Sequence, residues 1–294
     1  MATIKRYATL YVPLEDGGKV VEGGEEDVFF SGYPFSPFEM VYDGASQRLP
    51  DGSKARFAND STMAKRVGGI VRDVFWQAPN SDGLKEVILR ANLQVRGFQE
   101  SRGIPLDRAD LLSGGVFAAI KRGQDILSGI YAGDCFIVVV QKDGGVWATK
   151  DQTHESGRRE GELIGKALEE SGGVRDEIFL EKFSRIVSEF RLKDMNQPRA
   201  KNPNAFGILN GQEGPEEHLE EFHIPIETVR CVILGTDGAA NFSETENPDV
   251  YAQLSWERYQ KGGARGIVDG ARRAHGTGSY VDYDEATLIA IEFE

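Results

Sequence analysis

Cysteine is scarce in this chain: there are two in 294 residues, Cys135 and Cys231, each inside an apolar run and with no CxxC pair. That excludes a disulfide framework and a thiolate zinc site, and both read as small buried hydrophobes of a reducing compartment. Histidine is nearly as rare. Of the four, His218 and His223 lie five apart, on different helix faces, unlike the four-residue spacing that puts two zinc ligands on one face. No apolar run approaches the roughly eighteen residues that would mark a transmembrane helix. Basic residues are in deficit, with 34 Lys and Arg against 47 Asp and Glu and a net charge of −13. Such a field repels phosphate backbones and anionic lipid heads, so neither nucleic acid nor a membrane is expected as a partner. The start of the chain meets Lys5 and Arg6, then Pro13 and Asp16, before any apolar core of signal-peptide length, and a soluble, cytoplasmic protein is the expectation.

Several chemical motifs are missing as well. Gly161, Gly165 and Lys166 imitate a P-loop, but the spacer is one residue short and Ala167 stands where Ser or Thr would bind magnesium. Gly276 and Gly278 are followed by no third glycine and open no helix after a strand, so a dinucleotide fingerprint is unsupported. There is no Gly-x-Ser-x-Gly elbow, and neither cysteine has an evident His partner. Tandem repeats, low-complexity tracts and long linkers are absent too, which predicts one domain over residues 1–294.

What is present is a globular balance, 40% hydrophobic and 28% charged, long enough to bury a core without staples. Strand-like runs punctuated by Gly and Pro cover Tyr7–Val12, Val28–Tyr33 and Phe38–Tyr42. The period then changes. Met63, Val67, Ile70, Val71 and Val74 mark one helix face, and Leu84, Val87, Ile88, Ala91 and Val95 a second. A β-hairpin is predicted from Phe136–Val140 and Val146–Thr149 around Lys142–Gly145. Helices follow over Glu162–Glu170 and Ile178–Leu192, a loop over Met195–Asn204, and strands over Phe206–Leu209 and Val229–Leu234. A last helical stretch with Val250, Leu254 and Tyr259 leads through a Gly-rich segment, 262–278, to a closing strand, Ala286–Phe293. That strand is apolar on both faces and therefore expected at the centre of a sheet. Strands and helices come in blocks, which predicts an α+β layered fold and not a doubly wound parallel sheet.

The carboxylates carry the chemistry. Glu26 and Asp27 begin a strand, Asp43 ends one before Gly44, Asp237 ends another before Gly238, and Asp284 introduces the last. A single Asp-Gly is an ordinary turn. Several acids fixed to strand ends, if they converge, repel one another unless cations intervene, and oxygen ligands without His or Cys select Mg²⁺ or Mn²⁺. A pair of such ions can lower a water's pKa and clamp the oxygens of an in-line phosphoryl displacement, so phosphate ester hydrolysis is the predicted chemistry.

The order and flanks of these acids resemble the metal-dependent protein phosphatases of the phosphatase 2C family, from about residue 5 to the end of the chain. Gly24-Glu25-Glu26-Asp27 resembles the family's Asn-Glu-Asp, and Val41-Tyr42-Asp43-Gly44 its first Asp-Gly. Ala132-Gly133-Asp134 resembles its Gly-Asp-Ser, Thr236-Asp237-Gly238 its Ser/Thr-Asp-Gly, and Asp284 to Thr287 its Asp-Asn-x-Thr. Ala91-Asn92 and Thr149-Lys150-Asp151 also match family words. The resemblance implies a four-layer α/β/β/α sandwich, two antiparallel sheets flanked by helices, with a two-ion Mg or Mn centre at one end. It implies that Asp43 bridges both ions, that Asp237 and Asp284 complete one, that the Gly44 carbonyl and Glu26 serve the other, and that Asp27 orients metal-bound water. The implied activity is hydrolysis of phosphoserine or phosphothreonine in a protein substrate by a metal-bridging hydroxide, without a covalent phosphoenzyme.

Three positions depart from that pattern. Asp134 matches the acid of a third, weaker metal site, but the partner position is Asn241. Glu22 stands where the family has a phosphate-binding arginine, with Lys19 and Arg48 as the nearby cations. Ala45-Ser46-Gln47 lacks the histidine that many members carry as a proposed general acid. Two other readings therefore stay open: a phosphatase-like fold kept as a binding or regulatory module, and an acidic structural protein whose turn aspartates never meet.

Overall fold

The computed structural model describes residues 3–13, 15–16, 19–20, 25–46, 62–239, 247–274 and 285–294. In chain order its strands and helices are β1 (Ile4–Val12), β2 (Glu15–Asp16), β3 (Lys19–Val20), β4 (Val28–Ser31), β5 (Phe38–Ala45), α1 (Met63–Gln77), α2 (Leu84–Ser101), β6 (Gly114–Arg122), β7 (Ile126–Ala132), β8 (Phe136–Gln141), β9 (Val146–Ala148), α3 (His154–Glu170), α4 (Glu177–Asp194), β10 (Glu220–Pro225), β11 (Val229–Gly235), α5 (Pro248–Ala274) and β12 (Ala286–Phe293).

Two five-stranded sheets, ordered β1-β12-β11-β8-β9 and β10-β7-β6-β5-β4, form the centre, and every pairing in both is antiparallel. Strand side chains alternate between faces, so each sheet buries one face against the other and one against helices. Val41, Ala118 and Ile120 from one sheet meet Ile137, Val232 and Ile289 from the other in the inter-sheet core. On the outer face of the β5–β6 sheet, Phe38, Met40 and Phe117 pack on Val71 and Phe75 of α1 and Ile88 of α2. On the outer face of the β11–β12 sheet, Phe136, Ile233 and Leu288 pack on Tyr251, Tyr259 and Val268 of α5. This is the expected four-layer α+β sandwich. Helices α3 and α4 pack on each other and on the short turn at Ala109–Leu111, outside the four layers. No helix among the described residues is long and apolar enough to cross a membrane.

β12 lies between β1 and β11 and is buried almost throughout, as its two apolar faces predicted. The α1 helix begins as its pattern predicted, its end held by the Thr62 hydroxyl, which accepts from the Lys65 N–H at 3.2 Å. Two expectations fail. The segment Phe206–Leu209 is not a strand; it makes a single bridge to Met195 and is held instead by the buried Asn196 amide, which accepts from Ile208 N and donates to Ile208 O, both at 2.9 Å. Residues 262–274 of the Gly-rich segment are helical, with a kink at Gly263 (φ 63°), because burial of Ile267, Val268 and Ala271 outweighs glycine's low helix propensity. Strands β6, β7 and β10 were not foreseen.

Candidate metal centre and its cleft

β5 carries Asp43 and Gly44 against Val116 and Gly115 of β6. A Cβ on Gly44 would fall 2.5 Å from the Glu26 carbonyl oxygen, so the strand can lie this close to the Glu26–Asp27 segment only with glycine there. β11 runs through Gly235 into Thr236 and a short turn at Asp237–Ala239, closed by Ala239 N–H donating to Thr236 O at 3.0 Å. Between β7 and β8 the chain turns at Gly133 (φ 80°) and presents Asp134.

Hydrogen bonds tie these segments together. The Thr236 hydroxyl donates to Asp27 Oδ2 at 2.8 Å and accepts from Thr287 N at 3.0 Å. Glu285 accepts from Glu26 N at 2.6 Å and from Asp27 N at 3.0 Å, and Tyr11 donates to it at 3.2 Å. The Glu26 carboxylate accepts from Ser46 N at 3.2 Å. The Thr153 hydroxyl donates to Asp134 Oδ2 at 3.1 Å, whereas Asp134 Oδ1 is buried without a hydrogen-bond partner among the described residues.

The electrostatics follow from this crowding. Burial, then the charges of Asp237, Asp27 and Asp134, hold the Asp43 carboxyl well above the usual carboxylate range, and Asp43 and Asp237 are close enough to share a hydrogen bond. Asp134 is raised in the same direction by burial and then by Asp237 and Asp151. Asp27 is raised by burial and then by Glu285 and Asp237, with the Thr236 hydroxyl pulling the other way.

Asp27, Asp43, Asp134 and Asp237 therefore share one neighbourhood, with Glu26 and Gly44 beside them. The structural-protein reading, in which the acids stay apart, does not hold for these four. Asp284, Glu22, Arg48, Asn241 and the Lys19 side chain lie outside what the structure describes. Among the described residues, no three His, Cys, Asp or Glu side chains are gathered tightly enough to cage an ion by themselves. The donor set nevertheless suits a hard cation: it is all oxygen, it is mutually repulsive, and Asp134 Oδ1 is a buried acceptor to which no described residue donates.

Asp43, Asp134 and Asp237 open onto a cleft of about 300 Å³. Its opposite wall comes from α4, where Val187, Phe190 and Arg191 follow the i, i+3, i+4 spacing of one helix face. Arg191 is buried and donates to Ser46 O at 2.7 Å and to Leu112 O at 3.4 Å, tying α4 to the segment that follows Asp43. Sequence reasoning missed Arg191 and Glu285. The second had a visible signal, a further acid next to Asp284 at the head of the closing strand; the first had none beyond helical amphipathicity.

No family model matches this sequence, and no curated protein is similar to it. Solved structures are similar along their whole length. The serine/threonine phosphatase Stp1 of Staphylococcus aureus is 11% identical with a TM-score of 0.57, over 100% of this chain and 97% of that one. The serine/threonine phosphatase PstP of Mycobacterium tuberculosis is 15% identical with a TM-score of 0.51, over 98% of each chain. A catalytic domain of PstP in complex with two manganese ions is 16% identical with a TM-score of 0.52, over 98% of each chain. At such identities the likeness is one of architecture, and the resemblance carried by five short motifs extends to all of it: the chain has the fold of the phosphatase 2C serine/threonine phosphatases.

Proposed function

We propose that the protein is a Mg²⁺- or Mn²⁺-dependent phosphatase that hydrolyses phosphoserine or phosphothreonine in a protein substrate. The observation that carries this reading is the convergence of Asp43, Asp134 and Asp237 on one cleft end with Asp27 close behind them, each held above the usual carboxylate range or crowded by the others. Four carboxyls kept together at such cost suit a site built to receive cations. A catalytic domain of similar fold is described in complex with two manganese ions.

In this reading Asp43, Asp237 and Asp284 would hold one ion, and Asp43, the Gly44 carbonyl and Glu26 would serve the other. A bound pair would supply a water of lowered pKa and a clamp on phosphoryl oxygens. The chain's own residues do the rest. Asp27 is oriented by the Thr236 hydroxyl, and burial and Glu285 raise its carboxyl, which favours the protonated form over that of a free carboxylate and suits a group that exchanges a proton with substrate or water. Glu285 fixes the backbone of Glu26 and Asp27, and Arg191 fixes the segment after Asp43. The half-buried apolar wall of α4 limits the water that reaches the carboxyls.

The test is hydrolysis of para-nitrophenyl phosphate with and without Mn²⁺, repeated with Asp237→Asn. Metal-dependent turnover that falls by at least about a hundredfold in the variant is expected. Equal rates in the two proteins would defeat the assignment, and Mn²⁺ binding without turnover would leave a phosphatase-like binding module.

A further inference from the structure

The cleft beside the carboxyls is chemically two-sided. One end holds Asp43, Asp134 and Asp237, and the remainder is walled by apolar side chains, chiefly Val187 and Phe190 of α4 with Met195 and Phe206. These four are only half-buried, although their side chains gain from leaving water. The wall is held in place by polar anchors behind it. The buried Asn196 pairs both backbone groups of Ile208 and also donates to Asn210 Oδ1 at 3.0 Å, while Phe206 N–H donates to Asp194 O at 3.1 Å and Phe206 O accepts from Asn196 N at 2.9 Å. Phe190 lies under the Arg159 guanidinium, 5.7 Å from the ring centroid, and Arg159 is itself paired with Asp194 at 3.2 Å. A concave apolar surface already fixed in shape binds at low ordering cost.

The charges of the cleft are as one-sided as its walls. Among the described residues its lining carries Glu160 in addition to the three aspartates, against one cation, Arg191, whose guanidinium is bonded to backbone carbonyls. With the aspartates taken up by cations, Glu160 still faces the wall: an acidic group entering beside the phosphate would meet its charge and lose its water, whereas an apolar group would gain burial.

We infer that this wall is a subsite for a substrate side chain: the preferred substrate is a phosphoserine or phosphothreonine segment in which a residue flanking the phosphorylated one is apolar, of about leucine size, and acidic flanks are rejected. The inference rests on the proposed phosphatase reading, which places the phosphoryl group at the carboxyl end and so directs the rest of the peptide along the wall.

Three phosphoserine peptides that differ only in having Leu, Ser or Glu on both sides of the phosphoserine test it, with para-nitrophenyl phosphate as an ester that has no flanking residue. Turnover and binding are both measured in Mn²⁺, binding by fluorescence titration of labelled peptides. The expected order is Leu over Ser over Glu, with the Leu peptide favoured about tenfold or more over Ser in kcat/KM. Phe190→Ala should bring that ratio close to one, and Val187→Ser provides the same reading if Phe190→Ala fails to fold. A wild-type ratio near one alongside turnover of para-nitrophenyl phosphate would overturn the subsite and leave the phosphatase reading standing. If no ester is turned over, the phosphatase reading falls and the titrations decide: tighter binding of the Leu peptide, lost in Phe190→Ala, supports the subsite, and equal binding overturns it.

Discussion

The Glu285 carboxylate accepts the backbone N–H of Asp27 at 3.0 Å with one oxygen and that of Glu26 at 2.6 Å with the other, joining the head of β12 to the segment before β4. Both residues are buried. The family pattern has asparagine at this position, which could accept only through its single carbonyl oxygen.

Replacing Glu285 separates two effects. Glu285→Ala removes the carboxylate that accepts from two buried N–H groups, each lost bond costing about 1–3 kcal/mol, so urea denaturation should show a loss of stability of that order. Glu285→Gln keeps one acceptor and removes the charge. Its stability should change less, while Mn²⁺ affinity measured by calorimetry should fall about tenfold or more, because the backbone carrying Glu26 and Asp27 is no longer held at both points. Unchanged affinity in both variants would show that this contact does not position the site.

The carboxyl cluster makes the metal-free protein sensitive to pH in an unusual direction. Asp43 and Asp134 are raised above the ordinary value of 3.8, chiefly by burial. The folded state therefore takes up protons at a pH where the unfolded chain has not, and the cluster's contribution to stability falls as pH rises from the ordinary carboxylate range through the raised values. Asp43→Asn removes one of the repelling charges. Without metal the variant should be more stable than the wild type at pH 7, by on the order of 1 kcal/mol, and with Mn²⁺ the order should reverse because only the wild type gains from binding. Thermal melts with and without Mn²⁺ at two pH values check both signs.

His218 works in the opposite sense. Its ring is buried, its Nε2 faces Gln197 O at 2.9 Å and its Nδ1 accepts from Arg199 Nε at 3.4 Å. Burial lowers its pKa from the ordinary 6.5. The unfolded chain then binds the proton first, so the contribution of this residue is intact above pH 6.5 and is lost as pH falls from there through the depressed value, by at most about 1.4 kcal/mol per pH unit. The stability difference between the wild type and His218→Gln, followed from pH 8 to pH 5 by urea denaturation, should decline below 6.5. A flat difference would mean that the ring titrates alike in both states.

Periodicity made α1, the β8–β9 hairpin and β12 visible because in each the local pattern and the packed environment agree. In β6 they do not. The run Gly114-Gly115-Val116-Phe117-Ala118-Ala119 has few strand-forming side chains, yet a Cβ on Gly115 would fall 2.2 Å from the Asp43 carbonyl oxygen and 2.3 Å from the Tyr42 ring. Small residues are demanded there by a neighbour some seventy positions earlier, which no local window contains. The same holds for the site. Strand-end acids with glycine beside them could be read as a group, whereas Arg191 owes its place to the docking of α4, and the cleft wall to an Asn196 amide standing in for a strand partner.

β12 lies between β1 and β11, with Tyr7 opposite Ile291 on one side and Val232 opposite Ile291 on the other. During synthesis, β1 and β11 are both made before the strand that separates them. Until the ribosome has released residues 286–293, β1 has no strand to pair with, β11 is left as an open sheet edge, and Glu26 and Asp27 lack the carboxylate that fixes them. Completion of this sheet thus waits for translation of its last strand, and pairing strands so far apart in sequence is the kind of contact that slows folding.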